Sequence, residues 1–167
     1  MIVFDASTLI LTARIEALDA FLANIEVKVA IPVEVEKECC AAKKSLDALM
    51  IQKALDESRI KVIAVKNRKV VTKLQADFGL GRGEAEAIAL ALVANARLVG
   101  IDDKNGINAC KLLGIAFTTA IGILVRMREK KLLTLAEAFT KLTALETHGR
   151  YKQSILEDAR RKLEAAA

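Results

Sequence analysis

Short apolar runs alternate with longer amphipathic stretches along the chain. Ile2-Val3-Phe4 is too brief and too uniformly apolar for anything except a buried strand, and Asp5 ends it. From Thr8 to about Ala23, Leu9, Ile10, Ala13, Ala17, Leu18 and Phe21 recur at helical spacing, which predicts one helix. Val27 to Ile31 reads as a second strand, stopped by Pro32, the only proline. Residues 33–58 are predicted helical with a break and new N-cap at Ser45, and Ile60 to Val65 has the β-branched density of a third strand.

The second half keeps the rhythm. A helix over Arg68 to Phe78 leads into Gly79, Gly81 and Gly83; Glu84 to Ala96 is an Ala-rich helix and Arg97 to Ile101 a strand. Asn105 to Leu113 is helical with Gly114 as its C′ glycine, Ile115 to Phe117 a short strand, and Thr119 to about Lys131 helical again. Thr134-Leu135-Ala136-Glu137 is a capping box opening another helix, and a last, polar one runs from about Arg150 to Ala165. Strand and helix alternating with short connections predict an α/β fold, with three α/β/α layers around a central parallel sheet. With no linker or repeat dividing the chain, we expect one domain over 1–145 with a C-terminal helical extension over 146–167.

Parallel sheets place their chemistry beyond the carboxyl ends of their strands. Asp5 follows strand one, and Asp102 with Asp103 follows strand four. Glu38, six residues past Pro32, and Glu84, opening the helix after the glycine loop, come to the same edge, so four carboxylates converge on one cleft. Read singly each has a plainer role: Asp5 as an N-cap, Glu84 as a first-turn acid, and Glu34, Glu36 and Glu38 as a solvated helix face. Together, crowded carboxylates persist as ions only beside a cation, and an all-oxygen donor set selects a hard one, Mg²⁺ or Mn²⁺. Such an ion polarises a phosphoryl oxygen and activates water, the chemistry of phosphodiester hydrolysis.

Composition narrows the field further. One His excludes a multi-histidine zinc site, and no Trp, one Tyr and five Phe leave little for a base-stacking platform. Cys39, Cys40 and Cys110 lack paired spacing and are expected as reduced core thiols. Asp5, Arg14 and Glu16 break the N-terminal apolar run, so no secretory signal is expected, and no stretch reaches the ~20 apolar residues of a membrane span. A cytoplasmic protein is expected. The net charge of +5 suits an anionic partner, and basic clusters occur at Lys66, Arg68, Lys69 and Lys73, at Arg126 to Lys131, and from Arg150 to Lys162.

Rival constellations lack context. Gly79-Leu80-Gly81-Arg82-Gly83 does not leave a strand, as a dinucleotide fingerprint must, and no Gly-Lys-Ser or Gly-Lys-Thr occurs for a P-loop. Ser7 stands where an aspartyl phosphatase would carry its second Asp, and His148, the only imidazole, falls at a helix end.

Four segments in order resemble the PIN-domain nucleases: Ile2-Val3-Phe4-Asp5-Ala6-Ser7-Thr8-Leu9-Ile10, Ile31-Pro32-Val33-Glu34-Val35-Glu36-Lys37-Glu38, Gly83-Glu84-Ala85-Glu86-Ala87-Ile88-Ala89-Leu90-Ala91 and Leu98-Val99-Gly100-Ile101-Asp102-Asp103. The likeness covers about residues 1 to 130 and is nearest the toxin components (VapC-type) of toxin–antitoxin systems. It implies a metal-dependent endoribonuclease whose acidic quartet is Asp5, Glu38, Glu84 and Asp102, with Ser7 beside the first. Mg²⁺ or Mn²⁺ would be held by Asp5, Glu84, Asp102 and Asp103. Many toxin members carry Asp-Ala-x-Ile-Ala-Ala at the third position, where this chain has Glu-Ala-Glu-Ala-Ile-Ala, so Glu86 competes with Glu84. Side chains two apart on a helix diverge by roughly 200°, so only one enters the cleft, and Glu84 is preferred. Glu34 is a further alternate. Lys66, Arg68, Lys69, Arg82 and Lys104 are the expected RNA contacts. The implied partners are RNA and an antitoxin protein. A mean hydropathy of +0.31 adds an expected homodimer through the helices of residues 33–58. A catalytically silent scaffold that binds RNA or protein is the alternative function.

Overall fold

A computed structural model describes residues 1–41 and 44–166. Among the described residues five strands form one parallel sheet in the order β3-β2-β1-β4-β5: β1 Ile2–Phe4, β2 Val29–Pro32, β3 Ile60–Ile63, β4 Leu98–Gly100 and β5 Phe117–Thr118. The chain steps outward from β1 to β3, then crosses back to lay β4 against the free side of β1, with Phe4 opposite Gly100. The reversal opens a crevice between the carboxyl ends of β1 and β4.

Strand alternation sorts the core into two layers. Ile2, Phe4, Val29 and Ile31 pack on one face against α1 (Ala6–Arg14), α2 (Leu18–Ala23), α3 (Val33–Cys40) and α4 (Leu46–Asp56), joined there by α8 (Ala120–Glu129), α9 (Leu135–His148) and α10 (Gln153–Ala165). Val3, Ala30, Val99 and Ile101 pack on the other against α5 (Arg68–Phe78), α6 (Arg82–Val93) and α7 (Lys104–Leu113). This is the three-layer α/β/α arrangement expected from the sequence. Cys39 fills one layer and Cys110 the other. In α10, Leu156, Ala159 and Leu163 are buried in the first layer, which docks the C-terminal helix onto α8 and α9.

Several boundaries differ from expectation, each for a local reason. The single helix over 8–23 is two, because Asp5 caps α1 early and the chain turns at Glu16 (φ 53°). The turn lets Ile15, Ala17 and Leu18 all point inward, which one straight helix would not allow. Lys141 Nζ donates to the carbonyls of Ile15 (2.7 Å) and Glu16 (3.3 Å), satisfying acceptors that the break releases. β3 stops at Ile63 because its partner β2 ends at Pro32. β5 is shifted to Phe117–Thr118 because the Ile115 amide still bonds back to Cys110 across the Gly114 cap. α4 begins after Ser45 as expected, and part of the helical prediction, at positions 42 and 43, lies outside the described residues. At α9 both reciprocal bonds of the Thr134/Glu137 capping box form.

Candidate active site at the carboxyl edge of the sheet

Asp5 leaves β1 in extended conformation and caps α1. Its Oδ1 accepts from the Thr8 amide (2.8 Å) and its Oδ2 from the Ser7 hydroxyl (2.6 Å), while its own amide donates to the Gly100 carbonyl (2.9 Å). That last bond ties it to β4, from whose end Asp102 projects beside it. Asp102 Oδ2 accepts from the Ala120 amide at the start of α8 (2.9 Å), and Oδ1 from the Tyr151 hydroxyl (2.6 Å).

Asp5 is only 1% exposed, and burial lifts its carboxyl to about 7 against the bonds from Ser7 and Thr8, with the charge of Asp102 adding to the rise. Burial likewise lifts Asp102, opposed by the donors Tyr151 and Ala120. The Thr8 hydroxyl lies close enough to both carboxylates to favour their charged forms, yet its buried oxygen has no partner in hydrogen-bonding geometry among the described residues. Around the pair, burial and the Asp102 charge push the Tyr151 phenol up, and burial followed by the Asp5 charge takes the Cys110 thiol up to about 11.

A second acidic group adjoins the first through the Asp102-Asp103 step. Glu84, in the first turn of α6, accepts from the Gly81 amide (2.9 Å), and its carboxyl is raised by burial and then by the charges of Asp103 and Glu38. Glu38 on α3 reaches across to α6 at Gly83, where a Cβ would stand 2.5 Å from its Oε1. Glycine there makes room for the carboxylate. Asp103 caps α7, with Oδ1 accepting from the amides of Asn105 (2.7 Å) and Gly106 (3.0 Å).

The acids of the expected quartet thus lie as two groups, Asp5 with Asp102 and Glu84 with Glu38, with Asp103, the further expected ligand, beside the second. Among the described residues no three His, Cys, Asp or Glu side chains stand as a ready-made metal cage. The Asp5–Asp102 pair nevertheless fits a hard cation: the donors are all oxygens, two carboxyls are lifted by a dry setting, and a buried hydroxyl beside them lacks a partner.

The alternates fall elsewhere. Glu86 is buried in α6, bonded to Arg68 and 3.5 Å from Arg82 Nε, and its Oε2 has no hydrogen-bond partner among the described residues. Glu34 lies 3.6 Å from Lys37 and 3.5 Å from Arg82. Glu84 and Glu86 therefore serve different neighbourhoods, as helical geometry requires. Of the expected RNA contacts, Arg68 and Arg82 are half-exposed and anchored on Glu86, while Lys66, Lys69 and Lys104 are exposed in segments that leave β3 and β4. His148 is exposed at the end of α9. A cavity of about 540 Å³ opens toward the amino ends of β1 and β4, lined by Ile2, Val27, Leu98 and Met127; none of these acids lines it.

Sequence reading missed two residues of the site. Thr8 was detectable, since it follows Asp5 by three on one helix face. Tyr151 was not, being 49 residues from Asp102 and brought to it only by the α9–α10 connection.

No helix among the described residues is long and apolar enough to cross a membrane. No curated protein matches the chain. The family model DUF3368, described as a PIN domain, matches residues 1–165, from the strand that delivers Asp5 to the end of α10. The acids set at the β1/β4 crevice therefore sit in a chain that belongs to the PIN-domain family, whose members are generally nucleases that hydrolyse phosphodiester bonds.

Proposed function

We propose that this protein is a metal-dependent endoribonuclease acting in the cytoplasm, the toxin of a toxin–antitoxin pair. The observation that carries the reading is the Asp5–Asp102 pair: a buried carboxyl and a half-buried one at the switch point, with the buried Thr8 hydroxyl beside them and without a hydrogen-bond partner among the described residues. Asp5, Asp102 and the oxygen donors of Glu84 and Asp103 would hold Mg²⁺ or Mn²⁺. The ion supplies, when bound, polarisation of the scissile phosphoryl group and a more acidic water.

The chain's own residues do the rest. Ser7 and the Thr8 amide fix Asp5 through both oxygens, and the Ala120 amide and Tyr151 fix Asp102 in the same way. Glu84, its carboxyl raised by burial and then by the charges of Asp103 and Glu38, would take a proton from the attacking water. Arg82, two residues before Glu84, and Lys104, directly after Asp103, would hold phosphates flanking the scissile one, and Lys66, Arg68 and Lys69 would extend that track past β3. Residues 1–145 form the nuclease domain, with 146–167 its helical extension. Leu46 and Leu49 on α4, 60% and 57% exposed, are the homodimer face, leaving apolar surface for an antitoxin segment.

The test is cleavage of a mixed cellular RNA with Mg²⁺ or Mn²⁺, against the same reaction in EDTA and against Asp5→Asn. Metal-dependent cutting that Asp5→Asn abolishes is expected. RNA retention without cutting would establish the silent-scaffold alternative, and cutting by Asp5→Asn at the wild-type rate would refute the site.

A further inference from the structure

Tyr151 belongs to the connection between α9 and α10, outside every segment that delivers an acid. Its ring is folded back on the end of α9 so closely that a Cβ on residue 149 would stand 2.3 Å from Cε2, and glycine occupies that position. Both ends of the connection are held. Leu145 of α9 and Leu156 of α10 are buried in the first core layer, and Arg160 bonds Glu146 across the two helices (3.3 Å). The phenol is therefore presented by a fixed loop, and its hydroxyl donates to Asp102 Oδ1 at 2.6 Å.

The two donors on Asp102 come from separate elements. The Ala120 amide takes Oδ2 and Tyr151 takes Oδ1, so the carboxylate plane is pinned at both ends, and each oxygen keeps a lone pair. Asp5 is pinned likewise by Thr8 and Ser7. Outer donors of this kind orient metal-binding carboxylates and are worth about 10- to 100-fold in affinity.

We propose that Tyr151 is a positioning residue for the divalent-ion site, by which the C-terminal extension orients Asp102 for the cation. The inference rests on the Asp5–Asp102 pair being the ion site of the nuclease reading. A phenol serves better than water here, because it is held by its own ring packing and loses no entropy when the ion arrives.

The chain offers its own reporter, since Tyr151 is its only tyrosine and it contains no tryptophan. A phenol bonded to a carboxylate emits weakly, and a cation drawing charge from that carboxylate loosens the quenching. Titration of the full-length protein with Mg²⁺ alone is expected to raise tyrosine emission to a plateau, and Asp102→Asn is expected to remove the response. By calorimetry Tyr151→Phe, which keeps the packed ring and removes only the hydroxyl, is expected to bind Mg²⁺ at least about ten-fold more weakly. Circular dichroism of each variant confirms that the fold is retained.

Equal Mg²⁺ affinity in wild type and Tyr151→Phe overturns the proposal, as does wild-type emission that ignores saturating Mg²⁺ or a wild type that binds none. The outcomes separate from those of the nuclease reading. Weakened Mg²⁺ binding in Tyr151→Phe with no RNA cleavage by wild type upholds the positioning role and sinks the activity; metal-dependent cleavage with unchanged Mg²⁺ affinity in Tyr151→Phe does the reverse.

Discussion

Asp5→Asn is expected to stabilise the metal-free protein, by an amount that grows with pH. In the unfolded chain the Asp5 carboxyl titrates near its ordinary value of 3.8, whereas in the fold it titrates at about 7. Below 3.8 both states hold the proton and burial carries no ionisation cost. Between the two values the unfolded chain gives up the proton and the fold keeps it, so stability falls as pH rises; above about 7 both are ionised and the penalty is complete. Moving one carboxyl from 3.8 to about 7 corresponds to about 4 kcal/mol. Asparagine carries no such penalty and still caps α1 through its carbonyl oxygen, so the helix start is kept to within a few tenths of a kcal/mol. The lifted carboxyls of Asp102 and Glu84 are common to both proteins, and loss of the Asp5 charge eases ionisation of Asp102, which adds in the same direction. Thermal melts in EDTA should show the two proteins close at pH 4 and the variant higher by about 10 °C at pH 8, taking about 2–4 °C per kcal/mol for a chain of this size. Mg²⁺ should narrow the gap by stabilising the wild type alone. A difference that is flat from pH 4 to pH 8, or a variant that melts lower at pH 8, would refute the account of Asp5 as a buried, uncompensated carboxyl.

Two further substitutions separate stability from function. Gly83→Ala should push the Glu38 carboxylate aside, a small cost because only the end of an exposed side chain moves, and should gain up to about 1 kcal/mol of helix propensity; the expected result is an equal or higher melting temperature with reduced RNA cleavage, and undiminished cleavage would remove Glu38 from the machinery. Thr134→Ala breaks the α9 capping box at both hydroxyl bonds and should cost about 1 kcal/mol, a drop of about 2–4 °C that leaves cleavage untouched.

The sheet was legible because its strands are short, the central ones β1 and β2 apolar and buried on both faces, and all are separated by helices, a pattern that a covered parallel sheet satisfies. Its order was not. Nothing local in Leu98–Gly100 says that β4 returns beside β1 instead of extending past β3, because that choice is made by which helix faces meet. The same limit explains the break at Glu16. Apolar positions from Leu9 to Phe21 do recur at helical spacing, but Ile15, Ala17 and Leu18 are all buried only if the helix is interrupted, and the Lys141 side chain that satisfies the freed carbonyls comes from 125 residues away.

At the site, the residues that announce themselves are those whose position in the chain sets their position in space. Asp5 and Asp102 follow strands, so the strand ends place both at the carboxyl edge of the sheet, although their meeting depends on β4 returning beside β1. Glu84 could be separated from Glu86 by helical spacing, though not assigned its neighbours: Glu86 is the more buried of the two, and what distinguishes it is a pair of arginines from α5 and α6. A buried carboxylate served by two half-exposed guanidinium groups is a structural device, whereas one lifted by other carboxylates needs a counter-charge from outside the chain. Burial alone therefore does not mark the working acids; the sign of their neighbours does. By that criterion Asp5 and Glu84 group together, since another acid's charge adds to the rise that burial causes in each; Asp102 joins them as the neighbour whose charge acts on Asp5, and Glu86 falls outside. The Tyr151 hydroxyl belongs with them for the complementary reason, as a neutral donor that can orient Asp102 without supplying the charge a cation would bring.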